Sequence, residues 1–313
     1  MQTNTPSRST TRLTRRGRLA VLVIGAVVAG TAVVVPLLML EAGRKQAKPV
    51  TLVIPEGWRA SQVYDAVDKV LKLPSGSTRT SVGKAALKLP NEAGSNPEGY
   101  LYPATYPVPK GATPETLLRT MVDTAIRKYT AAPVAAGAQR GAMDTYQAVT
   151  IASIIQAEAG TKADMGKVAR VIFNRMERGM PLQMDSTIHY ALNRNTIDTS
   201  RSDTQIESPY NSYQRVGLPP TPIDNPGADA MHAALNPTPG DWLYFVTVKA
   251  GDTRFTADYT AHLHNVDDFN ALHQSAAATQ PPGGSTSGSP AAPSAPSVPA
   301  VPAVPSATRP AVR

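Results

Sequence analysis

Residues Leu19 to Leu40 form 22 consecutive positions without a charge, and this run limits what the rest of the chain can do. It is long enough to cross a bilayer. Five arginines precede it (Arg8, Arg12, Arg15, Arg16 and Arg18), and Glu41 and mixed charge follow. The positive-inside rule then makes residues 1–18 a cytoplasmic basic tail and 19–40 a single-pass transmembrane helix, with everything beyond about residue 41 on the outer side of the cell membrane. The rival reading is a cleaved signal peptide, whose apolar core is usually only ~7–15 residues. Here the run is longer and no small-x-small site ends it, so a retained anchor is expected. From Gln274 onward the chain is rich in Pro, Ala, Ser, Gly and Val, with no acid and no aromatic. That composition cannot bury a core and predicts a disordered tail over 273–313. Folding is thereby confined to about 220 residues between a tether at 41–49 and the tail, enough for an independent core.

The formal net charge of +8 comes from the ends. Five of the 31 basic residues precede the apolar run, and Arg309 and Arg313 lie in the tail, which leaves 24 against 23 acidic side chains in between. This near-balance gives no footprint for nucleic acid. With no cysteine, thiol catalysis, zinc–thiolate sites and disulfides are excluded. No Gly-x-Ser-x-Gly elbow is present, which argues against a serine hydrolase. His262 and His264 are two apart on a predicted helix and point to different faces, so they form no metal site and are expected to be solvated. Neither a metal nor a cofactor is expected.

Thr51 to Ile54 reads as a strand, Pro55 to Gly57 as a turn, and Ala60, Val63, Val67, Val70 and Leu71 have helical spacing. The stretch from Pro74 to Gly94 is loop-rich, with room for a short helix around Val82 to Leu89. Thr113-Pro114-Glu115 is a strong helix start, continued by Leu117, Leu118, Met121, Val122, Ala125 and Ile126. Asp144 is the expected cap of a helix ending at Glu158, and Asp164 that of the next. Asp185 or Ser186 is expected to cap a short helix reaching Leu192. Asn225-Pro226 opens another to Leu235. Trp242 to Val248 reads as a strand with Arg254 to Thr256 able to pair as a hairpin, and a last helix runs roughly from Ala257 to Leu272.

Glu158 closes an otherwise apolar run from Ala148. At 3.6 residues per turn it shares a face with Ile151, Ile154 and Ile155, while Gln156 lies about 200° away on the wetter side. A carboxyl on a core-facing side is costly to ionise and keeps its proton near neutral pH. A proton-holding carboxylic acid is what cleavage of a glycosidic bond requires. The alternative is a structural Glu paired with a buried Arg170 or Arg175.

Four segments carry a resemblance to a known family. They are NPEGYLYPATY from Asn96 to Tyr106, ASIIQAEAG from Ala152 to Gly160, VIFNRMERGMPLQMDST from Val171 to Thr187, and SPYNSYQRVGLPPTPIDNPG from Ser208 to Gly227, the last followed by ALNP at Ala234 and WLYFV at Trp242. Together they resemble the YceG-like endolytic murein transglycosylases, the MltG family, over residues 50–272. The resemblance implies an α+β fold: a single-pass membrane anchor, a small, reduced LysM-like β-α segment at 50–95, then a mainly helical, lysozyme-like catalytic domain at 96–272 with a short β-hairpin. It implies a lytic transglycosylase that cuts nascent peptidoglycan glycan strands internally between N-acetylmuramic acid and N-acetylglucosamine. The products carry 1,6-anhydro-N-acetylmuramic acid ends, and strand elongation is terminated. Peptidoglycan synthases and division proteins are the implied partners.

The family motif often reads Ser-Ile-Val-Glu-Lys-Glu; its first acid is Gln156 here, and its second, the catalytic one, is Glu158. Where the family often has Pro-Asp-Thr-Tyr, this chain has Pro103-Ala104-Thr105-Tyr106. The matching segments put Glu98, Gln183, Asp185, Tyr210, Asn211, Tyr213 and Asn225 forward as substrate-binding residues. Each has a plainer alternative: Asp185 as a helix cap, Asn225 as a turn before Pro226, the tyrosines as packing. Tyr100, Tyr102 and Tyr106 could stack on sugar or pack a loop. Two further functions stay open on the residues: a hydrolytic muramidase with Asp185 as base for water, and a non-catalytic glycan-binding or division-scaffold protein.

Overall fold

In the computed structural model the described residues are 50–194 and 199–278. The run at 19–40 and the chain beyond 278 lie outside them. Among the described residues no helix is long and apolar enough to cross a membrane. In chain order the elements are β1 (Thr51–Val53), α1 (Ala60–Leu71), α2 (Ser77–Ser81), β2 (Thr105–Pro107), α3 (Pro114–Tyr129), α4 (Ala132–Arg140), α5 (Thr145–Glu158), α6 (Lys162–Glu177), α7 (Asp185–Ala191), α8 (Ala228–Leu235), β3 (Tyr244–Lys249), β4 (Asp252–Thr256) and α9 (Tyr259–Ala278).

Helix α5 organises the core. Its β-branched residues are mediocre helix formers, so tertiary burial holds it rather than propensity. Ala148, Val149, Ile151, Ala152, Ile154 and Ile155 are all sealed from solvent. Asp144 caps it as expected, accepting from the Gln147 amide at 2.7 Å, while the Gln147 side chain returns a bond to the Asp144 amide. Helices α4, α6, α7 and α8 pack around it. Because α5 is enclosed on nearly every side, the expected contrast between a dry Glu158 face and a wet Gln156 face does not hold. Both residues are half-buried. They differ in direction: Gln156 accepts from the Gly227 amide at 3.0 Å, whereas Glu158 meets α7.

The β-α unit closes as β-α-α-β. Strand β1 pairs antiparallel with β2, Leu52 opposite Tyr106. The second strand therefore comes from beyond residue 95, and Leu52, Val63, Val67 and Tyr106 share one core with α3 and α5. Within this unit Asp68 accepts from the Thr78 amide and hydroxyl and from the Gly76 amide, at 2.6–2.8 Å, tying α1 to α2. The short helix of this region lies at Ser77–Ser81, with a 3-10 turn at Val82–Lys84, earlier than expected.

The hairpin β3–β4 forms as expected, with Tyr244 opposite Thr256, and α9 packs on it. Three expectations are corrected. Helix α6 starts from Thr161, whose hydroxyl donates to Asp164 at 2.7 Å, so Asp164 lies in the first turn instead of capping it. Helix α9 continues to Ala278, into the segment expected as tail, carried by Ala276, Ala277 and Ala278, the best helix-forming residue type. His262 is buried, not solvated: its ring stacks on Tyr244 at 5.1 Å and burial lowers its pKa to about 4. Tyr100 and Tyr106 are buried in the core, and Tyr100 meets Tyr129 edge-on at 5.7 Å, which is the packing role.

Candidate active site

Glu158 ends α5 and faces the first turn of α7, where its Oε1 accepts from the Ser186 amide at 3.2 Å. Arginine does not neutralise it. Arg175 spends its guanidinium on the carbonyls of Leu243 (2.7 Å), Leu182 (2.7 Å) and Pro181 (3.2 Å) and on Gln183 Oε1 (3.1 Å). Arg170 donates to the carbonyl of Thr238. The structural ion pair is therefore absent. Burial pushes the Glu158 carboxyl up to about 7; the Ser186 hydroxyl and amide pull the other way, and the neighbouring charge of Asp185 adds to the rise. Glu158 holds its proton near neutral pH while not fully sealed from solvent.

Asp185, first residue of α7, does not cap it through its side chain. Instead its Oδ1 accepts from the Tyr213 hydroxyl at 2.5 Å. Its Oδ2 is buried without a well-formed hydrogen bond, as is the Ser186 hydroxyl. Burial raises the Asp185 pKa to about 6, opposed by the hydroxyls of Tyr213 and Thr199. Burial and the charge of Asp185 in turn push the Tyr213 phenol upward, so it stays a donor.

Gln183 precedes α7 at φ 52°, a left-handed conformation uncommon for a residue with a side chain. It is held there by its amide on the Ser212 carbonyl (2.9 Å) and by Arg175 on its side-chain oxygen. The Met184 amide donates to Ser212 Oγ and the Thr187 hydroxyl bonds the same atom, so the 208–213 loop is clamped along α7. Glu158, Gln183, Asp185 and Tyr213 are thus brought together.

The other expected residues fall elsewhere. Asn211 and Asn225 are fully engaged with backbone. Asn211 donates to the carbonyls of Thr204 and Ile206 and accepts from the Tyr213 amide. Asn225 accepts from the Leu101 amide and donates to the Trp58 carbonyl, both at 2.7 Å. Both side chains hold loops. Tyr210 packs on Tyr190, ring centroids 4.9 Å apart, and bonds Thr221.

Glu98 sits at the far end of α7. Its Oε1 accepts from the Ala60 amide at 2.8 Å and its Oε2 from the Tyr190 hydroxyl at 3.2 Å. Burial pushes it up to about 7, against those bonds and the charge of Arg59. Asp224 lies nearby, 4% exposed, with Oδ1 unbonded and its pKa raised by burial and by Glu98. A cavity of about 410 Å³ opens here, lined among others by Arg59, Ser61, Asn96, Glu98, Tyr190 and Asn193. Sequence reasoning missed Arg59, Ser186, Tyr190 and Asp224. Ser186 and Asp224 lie inside the matching segments, beside Asp185 and Asn225, but nothing in their spacing marked them.

Among the described residues no group of three or more acidic or histidine side chains is arranged to hold a metal ion.

The YceG-like family matches residues 32–268 of the chain. The endolytic murein transglycosylase of Bacillus subtilis is 36% identical over 167 residues, which cover 53% of this chain and 46% of that protein. That of Streptococcus pneumoniae serotype 2 is 32% identical over 243 residues, 69% of this chain and 44% of that protein. The chain therefore spans about half the length of the curated relatives it matches. A crystal structure of a yceG-like protein from Listeria monocytogenes aligns with a TM-score of 0.62 at 31% identity, covering 70% of this chain and 76% of that one. The family match takes in every element from β1 to β4 together with Glu98, Glu158 and Asp185, and on it the chain belongs to the YceG-like family.

Proposed function

We propose that the chain is an endolytic lytic transglycosylase acting on peptidoglycan glycan strands, with Glu158 as its acid and base. The observation that carries this reading is a carboxyl without a cationic partner, raised to about 7 by burial yet not fully sealed from solvent, at the end of the core helix. Protonated Glu158 gives its proton to the oxygen linking N-acetylmuramic acid to N-acetylglucosamine, and the bond from the muramyl C1 to that oxygen breaks. The ionised carboxylate then takes the proton of the muramyl C6 hydroxyl, whose oxygen bonds C1 and closes the 1,6-anhydro ring. One carboxyl serves twice and no water is consumed. Tyr213 lies within electrostatic reach of it, and the cavity at the other end of α7 offers Ser61, Asn96 and Asn193 to a bound strand.

Digestion of uncrosslinked glycan by the purified chain, with mass analysis of the ends, tests the reading. Anhydro ends, one water lighter than hydrolytic ends, are expected. Asp185 motivates a second outcome: its unbonded Oδ2 beside Glu158 could accept a proton from water, and ends of full mass would make the chain a muramidase.

The uncharged run at 19–40 and the arginines before it support a membrane anchor with the catalytic part outside, where nascent strands leave their synthases. A reporter fused beyond residue 278 is expected to give an extracytoplasmic signal; a cytoplasmic signal would reverse the orientation. The β-α-α-β unit from 51 to 107 is read as the LysM-like part, its second strand supplied by Thr105–Pro107.

A further inference from the structure

We propose that Glu98 is a positioning residue, which fixes the end of α7 remote from Glu158 and so sets where the Ser186 amide meets the catalytic carboxyl. The proposal rests on Glu158 being the acid.

Both oxygens of Glu98 are already engaged. One takes the Ala60 amide, an N–H at the start of α1 that has no partner within its own helix. The other takes the Tyr190 hydroxyl in the last turn of α7. Helix α1 is a firm anchor, because Val63 and Val67 are sealed in the core. Arg59 repeats the tie: its Nη1 donates to the His189 carbonyl at 3.3 Å, and its guanidinium lies over the Tyr190 ring at 5.4 Å. The backbone behind Glu98 is equally constrained. Gly99 has φ +81°, and a Cβ there would meet Pro222 at 2.6 Å.

The other end of α7 is where chemistry is placed. Ser186 donates to Glu158, Asp185 accepts from Tyr213, and Thr187 bonds Ser212. The helix has seven residues and spans about 10 Å at 1.5 Å per residue, so it moves as one body. A shift at Tyr190 is therefore felt at Ser186. The role needs acceptors and not a charge. Asp224 is buried close by, and a charge on Glu98 disfavours a second one there. An amide at position 98 can still accept from Ala60 and bond the Tyr190 hydroxyl.

The test uses the full chain with two readouts: steady-state cleavage of uncrosslinked glycan, and titration of the Glu158 carboxyl by carbon-13 NMR. Glu98→Ala is expected to lower kcat about tenfold, the scale of a small misplacement of a catalytic group. KM should stay within about twofold, because both Glu98 oxygens are taken up by donors of the protein and neither is left for the substrate. The Glu158 pKa should rise, because the Ser186 bond that favours the ionised form is weakened. Asp185 and Tyr213, the groups that face Glu158, are unaltered in this variant. Glu98→Gln should restore kcat, KM and titration. Tyr190→Phe should reproduce Glu98→Ala, and the double variant should be no worse than Glu98→Ala alone. A raised KM at unchanged kcat would make Glu98 a substrate contact and overturn the proposal, as would additive losses or an unmoved Glu158 titration. If Glu98→Ala does not fold, Tyr190→Phe carries the same comparison with one hydroxyl removed. If the wild-type chain releases no product, the glycosidase reading fails, while the Glu158 titration still decides the positioning of α7.

Discussion

Glu158 and Glu98 stand at opposite ends of α7, and burial pushes both carboxyls to about 7. Their bonding differs. Glu98 is 4% exposed and each of its oxygens accepts from a donor inside the protein. Glu158 is half-buried, and its one well-formed hydrogen bond comes from a backbone amide. A raised pKa records how much water a carboxyl has lost; catalysis also needs an oxygen left free for the substrate. Asp68 marks the other limit. It is covered but lies just below the surface, and there burial pushes upward less than the Thr78 hydroxyl and the amides of Thr78, Gly76 and Ser77 pull downward, so its pKa is lowered.

The largest test of this contrast is Glu158→Gln. It keeps shape and hydrogen-bonding capacity and removes the transferable proton. Cleavage should fall by at least ~100-fold with the fold unchanged, the usual scale for a lost general acid. Near-normal anhydro product from that variant would remove Glu158 from the chemistry and leave its raised pKa as a mere consequence of burial, like that of Glu98.

A smaller effect is expected from Tyr213→Phe. The Tyr213 hydroxyl favours the ionised form of Asp185, so its loss raises the Asp185 pKa. A neutral Asp185 no longer raises Glu158, whose pKa then falls. The alkaline limb of the activity–pH profile, set near 7 by loss of the Glu158 proton, should move to lower pH. Activity at neutral pH should drop roughly twofold, as a fall of about half a pKa unit from about 7 implies. A limb that stays in place would show that Asp185 and Glu158 are not coupled.

Much of this was readable in the sequence wherever the signal is local. Thr113-Pro114 fixed the start of α3, Asp144 the start of α5, and the apolar alternation after Trp242 the hairpin. Non-local structure was not readable. Strand β2 has three residues, one of them Pro107, and exists only because β1 lies beside it, more than fifty residues back. Helix α4 has four alanines that favour a helix and Pro133 in its first turn, but no side-chain cap, and Gly137 interrupts it, so its bounds are not marked locally. At the site, the spacing around Ile151 singled out Glu158, the carboxyl proposed as the acid, but on an incomplete argument, since α5 is buried nearly all round. Motif matching gathered Asn211 and Asn225 with Glu158 and could not tell a residue that holds a loop from one that faces a cleft. Arg175, the alternative partner of Glu158, is directed instead at four acceptors in the chain before and after α7.

The smallest expected effect is on stability, and it probes both ends of α7 without any substrate. Glu98, Asp185, Glu158 and Asp224 all have pKa values higher in the folded chain than in the unfolded one, where carboxyls titrate near 4. The folded state then binds more protons than the unfolded state between about pH 4.5 and pH 7, so stability must fall as pH rises through that window. The lowered carboxyls, Asp68, Glu115 and Asp203, act in the opposite sense but titrate below it, and buried His262, lowered to about 4, opposes the fall only up to about pH 6.5, one group against four. Thermal unfolding should therefore occur roughly 4 °C or more lower at pH 8 than at pH 5.5, as a penalty of one to two kcal/mol implies for a domain of this size. Glu98→Gln and Glu158→Gln should each flatten the dependence by a similar amount, because each removes a carboxyl that burial raises to about 7. If Glu158→Gln left the dependence unchanged, the Glu158 carboxyl would not be raised on folding, and the proton it is proposed to carry near neutral pH would not be there.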